Sequence, residues 1–119
     1  MQMIVTNNPD VAVKYDVHAF YCKGGVMDVF IHVRDAVHNG AKLISHPLSG
    51  SVKPNESPYK SVVISKAPGP LDFKSLQAIE DAIAKLTQMS KKNYSYDESI
   101  LKDFRIIDLD LVNSAYKKE

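Results

Sequence analysis

Three prolines, Pro47, Pro54 and Pro58, fall within residues 44–60 and decide where regular structure cannot run. Each fixes its own φ, lacks a backbone N–H, and biases the residue before it towards extended backbone. The stretch reads Ile-Ser-His-Pro-Leu-Ser-Gly-Ser-Val-Lys-Pro-Asn-Glu-Ser-Pro-Tyr-Lys, and two apolar runs, Leu43-Ile44 and Val62-Val63-Ile64, enclose it. A connection this long inside a small domain is usually functional or disordered. Proline reduces the entropy lost when such a loop is ordered, so the expectation is an ordered, functional loop. It gathers His46, Ser49, Ser51, Lys53, Asn55, Glu56 and Lys60, with Gly50 allowing close backbone approach.

Elsewhere the chain punctuates itself clearly. Met3-Ile4-Val5 reads as a short buried strand. Asn8-Pro9 is a helix start, with asparagine as cap and proline at the first helical position, and the helix runs to about Tyr15. Residues 17–23 read as a second strand, broken by Gly24-Gly25. From Val26 to His38 the apolar residues 26, 29, 30, 33, 36 and 37 share one helical face, and Gly40 follows as a stop. Residues 41–45 and 60–66 form a third and a fourth strand. The clearest helix spans Leu71 to about Met89, capped by Asp72, with Phe73, Leu76, Ile79, Ile83 and Leu86 in one stripe. Ser95-Tyr96-Asp97-Glu98 has capping-box spacing and opens another helix carrying Ile100, Leu101 and Phe104. Residues 105–117 are ambiguous. Leu109-Asp110-Leu111 alternates as a strand does, whereas Ile107, Leu111 and Ala115 share a helical face. The order predicts one α/β domain over residues 1–119, with about four mainly parallel strands flanked by helices and two or three helices at the C-terminus.

The chain has 119 residues, 45% of them hydrophobic and 24% charged, enough for one core and not two. A formal net charge of +1 gives no global attraction to nucleic acid or an anionic membrane, so neither is expected as a partner. Cys22 is the sole cysteine, which excludes an intrachain disulfide and a thiolate zinc site. The N-terminus lacks the basic and long apolar segments of a signal peptide, and no apolar run reaches membrane-spanning length, so a cytoplasmic protein is expected.

Ligands of open α/β sheets sit beyond the carboxyl ends of the strands. If the strands are parallel, Thr6-Asn7-Asn8, Lys23-Gly24-Gly25 and the loop from Ser45 meet at one edge. Ser49-Gly50-Ser51-Val52-Lys53 supplies hydroxyls, backbone N–H groups and an ammonium, a set suited to phosphate or carboxylate. It is no Walker loop, because the glycine–lysine spacing is wrong and a strand follows. The ligand-binding candidates are Asn7, Asn8, Ser49, Gly50, Ser51, Lys53, Asn55 and Glu56. His46, directly after the third strand, is the catalytic candidate as a general acid or base, with Glu56 to orient it. His18, His32 and His38 do not make a metal set, so neither metal nor cofactor is expected. His32 could pair with Asp28 one turn earlier, and His38 complements a helix C-terminus. Cys22 beside Lys23 could be a reactive thiolate, but cysteine more often simply fills a core.

Residues 45–61, together with Thr6-Asn7-Asn8-Pro9 and Val33-Arg34-Asp35-Ala36-Val37-His38, resemble the GrdX family, small proteins encoded beside glycine, sarcosine and betaine reductase components. The resemblance covers residues 3 to about 66 and is specific in the long loop. It implies an accessory role in glycine reductase metabolism, with reductase components as partners. It brings no catalytic residues. Three readings follow: an accessory protein binding a small anionic metabolite at the loop edge, a small enzyme using His46 on a phosphorylated or carboxylated metabolite, or a pure interaction module, homodimeric through its C-terminal helices.

Overall fold

A computed structural model of the chain describes residues 1–50, 55–66, 69–89 and 96–117. Strand β1 (Gln2–Thr6) leads into helix α1 (Pro9–Tyr15), a short 3₁₀ turn (Asp16–His18) and strand β2 (Ala19–Tyr21). Helix α2 (Val26–His38) and strand β3 (Lys42–Leu43) follow, then the long loop, strand β4 (Ser61–Ser65), helix α3 (Phe73–Gln88) and helix α4 (Glu98–Ala115). No helix among the described residues is long and apolar enough to cross a membrane.

The helix starts obey their sequence signals. Asn8 caps α1 by accepting from the Asp10 amide, and Pro9 occupies the first turn. Asp72 caps α3 by accepting from Ser75. Beyond α2, Gly40 takes φ +100°, a left-handed conformation that glycine adopts without strain. The ambiguous residues 105–115 are helical throughout: α4 is a single helix, and its cap is Asp97, which accepts from the Ile100 amide.

The four strands lie in the order β2-β1-β4-β3. Only β1 and β2 pair in parallel, while β1–β4 and β4–β3 are antiparallel. The sheet is therefore mixed, not mainly parallel. The cause is the connection between β3 and β4. Parallel neighbours need a crossover, usually a helix, whereas the proline-rich loop lets β4 return beside β3 in the opposite direction. Because β4 alone is reversed, the carboxyl ends of β1, β2 and β3 still meet the amino end of β4 at one edge.

Strand alternation sends side chains to two helical layers. Val5, Val62 and Ile64 join Val29, Phe30, Val33, Val37, Ile79 and Ala82 under α2 and α3. Ile4 and Val63 face the other way and join Val11 and Val112 under α1 and α4. The second cluster is smaller, and polar groups complete that layer at the strand-end edge. Phe30 is fully buried in the larger cluster. Phe30→Ala should cost about 3–5 kcal/mol of stability, read as a lowered urea midpoint; a loss below about 1 kcal/mol would mean this layer does not carry the fold.

Candidate functional site

Two asparagines tie the edge together. The Asn7 amide nitrogen donates to the Gly24 carbonyl (2.9 Å) and the Pro58 carbonyl (2.8 Å), and its oxygen accepts from the Lys60 amide (2.8 Å). One side chain thus joins the end of β1, the turn before α2 and the return of the long loop. Asn8 does the same for the helices. Its oxygen caps α1, and its nitrogen donates to the Arg105 carbonyl (2.9 Å) and to Asp108 Oδ2 (3.1 Å). Both asparagines are buried, which suits groups whose hydrogen bonds are made inside the protein.

Asp108 is the centre of this edge. Thr6 and Ser61 pair across β1 and β4, and their hydroxyls lie 2.7 Å apart. Ser61 donates to Asp108 Oδ2 at 2.6 Å, while the Asn8 amide donates to Thr6 Oγ1 at 2.9 Å. A hydroxyl has one proton. Since Ser61 gives its own to Asp108, Thr6 must donate to Ser61, and the bonds run in one direction from Asn8 N–H through Thr6 and Ser61 to the carboxylate. Burial nonetheless pushes the Asp108 carboxyl above its ordinary range, against the opposing pull of Ser61, Asn8 and the nearby Lys60. Burial likewise lowers the Lys60 ammonium, and Asp108 partly offsets it.

The same helix seats the long loop. Lys60 Nζ donates to the Ser49 carbonyl at 2.9 Å, closing the loop base. The Tyr96 hydroxyl donates to the Glu56 carbonyl at 2.6 Å, and Arg105 both donates to the Tyr59 hydroxyl (3.0 Å) and lies over its ring. Gly50 sits at φ +109°, where an added Cβ would come within 2.9 Å of Leu111. A pocket of about 10 Å³, the scale of one water, lies between loop and helix, lined by Ser45, Ser49, Lys60, Ser61, Leu111 and Val112.

The sequence candidates divide by position. Asn7 and Asn8 form the floor, and Ser49, Gly50, Asn55 and Glu56 belong to the two anchored arms of the loop. Ser51 and Lys53 lie outside the described residues. His46 is exposed at the rim, with Nδ1 accepting from the Leu48 amide (3.0 Å) in a tight turn. Cys22 is buried, and burial followed by Asp28 pushes its thiol up, the opposite of activation. Asp28 instead accepts from the Gly25 amide, and His32 lies against Phe20. No group of three or more metal-ligating side chains occurs among the described residues. Asp108 and Arg105 escaped the sequence reading. Their signal was helical: read as a helix, Asp108 falls on the inward face with Leu101, Val112 and Ala115.

These features define a small three-layer α/β protein in which Gly50 and Tyr59, on the two described arms of the long loop, lie against the C-terminal helix. A family model described as GrdX-like protein matches residues 3–117. The chain therefore belongs to the GrdX-like family, and the match includes the C-terminal helices as well as the loop. Comparison with curated proteins and with solved structures found no match.

A folded pKa raised above the unfolded value means the native state binds the Asp108 proton more readily than the unfolded chain does. Its contribution to stability is then fully present below the ordinary Asp value of about 3.9 and falls as pH rises through the folded pKa. Urea midpoints measured across pH should show wild type losing stability relative to Asp108→Asn as pH climbs from that point. A difference that stays constant with pH would contradict the assignment.

Proposed function

We propose that the chain is a cytoplasmic, non-catalytic accessory protein of glycine reductase metabolism, and that it binds a small phosphate- or carboxylate-bearing metabolite at the loop edge. The family match over residues 3–117 carries the metabolic assignment. The meeting of Asn7, Ser49 and Lys60 at one edge supports the location. In this reading Ser49, Gly50, Ser51 and Asn55 offer hydrogen bonds to the anion, Lys53 supplies charge, and Glu56 and His46 shape the rim. Asn7 and Asn8 hold the floor rigid instead of touching the ligand, because their amides are engaged inside the protein.

Binding is favoured over turnover by what surrounds the two groups that could do chemistry. The Cys22 thiol is buried and its pKa is raised, and one nitrogen of His46 closes a turn. Reductase components are the expected macromolecular partners.

Titration calorimetry with acetyl phosphate and with inorganic phosphate tests the site. Lys53→Ala should weaken binding by about 1.5–3 kcal/mol, the range for hydrogen bonds to charged groups. Equal affinity in the variant would remove Lys53 from the site. Turnover of acetyl phosphate that disappears in His46→Ala would replace the binding role with an enzymatic one.

A further inference from the structure

Helix α4 carries a second apolar row beside the face it buries. Ile100, Phe104, Ile107 and Leu111 recur at steps of four, three and four, the spacing of a helix–helix seam. Ile100, Ile107 and Leu111 remain about two-fifths exposed, at 41%, 40% and 38%. Phe104 is half-buried against Tyr96. A single exposed apolar side chain is ordinary, but a row along three turns of one helix that the described residues leave partly open is a contact surface.

The charges beside the row say what would fill it. Asp103 and Asp110 are both exposed, seven residues apart, and border the row on the side away from the sheet. The only exposed base on α4 is Lys102, two residues from Ile100 and thus turned away from the row. Arg105, the other base, is already held by Tyr59 and Glu98. A second copy laid antiparallel on this seam would set Asp103 of one chain against Asp110 of the other. Acid facing acid disfavours that pairing, and base facing acid favours its alternative.

We propose that α4 is a docking surface for an amphipathic helix of a partner protein, one with apolar residues at heptad spacing and Lys or Arg along the flank that meets Asp103 and Asp110. This surface adjoins the loop edge at Leu111, but the proposal does not rest on anion binding there.

The probe is a fluorescein-labelled synthetic helix with leucine at the seam and lysine at the flanks, beside the same helix with glutamate flanks. Fluorescence anisotropy should show saturable binding of the lysine peptide, strongest at low salt. Ile107→Ser should weaken it about tenfold or more, and Asp103→Lys with Asp110→Lys should shift preference to the glutamate peptide. All three positions are exposed, so these variants should fold, which circular dichroism checks. Absence of saturable binding, indifference to the charge reversal, or self-association in light scattering that Ile107→Ser abolishes would each overturn the proposal, the last by making a second copy the occupant.

Discussion

A buried carboxylate stands in the interface between α4 and the sheet. Asp108 is 6% exposed and lies on the face that buries Val112 against Ile4 and Val63. Burying an unpaired charge costs far more than an ordinary contact returns, so a carboxylate in such a place needs hydrogen-bond donors. Ser61 and Asn8 both donate to Oδ2, and Thr6 holds Ser61 in position. The requirement sets the register of α4. A slide of one residue along the sheet would take the carboxylate from its donors and leave it buried without them.

Once α4 is placed, the long loop has a seat. Leu111 lies under Gly50, Tyr96 holds the Glu56 carbonyl, Arg105 covers Tyr59, and Lys60 closes the base onto Ser49. The two helical layers therefore differ in kind. Helices α2 and α3 enclose a continuous apolar cluster that supplies stability. Helices α1 and α4 enclose a smaller one that ends in a polar network, and that network lies beneath the edge proposed to bind. Buried polar networks favour one arrangement over many alternatives only when every member is satisfied, and here the hydrogen bonds form an unbroken sequence.

Local signals in the sequence carried far. Asn8-Pro9, Asp72 and Gly40 each act through bonds to near neighbours, so they can be read without knowing the fold. Helix α3 was legible from its stripe for the same reason, although it starts at Phe73 and that first stripe residue faces solvent. Strand direction was not, because it depends on how the chain returns after residues 44–60, and nothing within a strand records that. Asp108 was hidden because a charged residue within a helix normally faces solvent. Its burial follows from Asn8 and Ser61, which are 100 and 47 residues away in the chain. The convergence of residues 6–8 with the loop was legible from the strand-end rule, whereas the engagement of Asn7 and Asn8 by internal bonds was not. It needs the carbonyls of Gly24, Pro58 and Arg105, which no motif places there.

Amide hydrogen exchange on wild type and Asp108→Ala tests most directly whether this carboxylate organises the edge. The account requires that residues 45–50, residues 55–60 and α4 lose protection together, while α2 and α3 keep theirs. Unchanged protection in the two loop arms, or an equal loss throughout the chain, would contradict it.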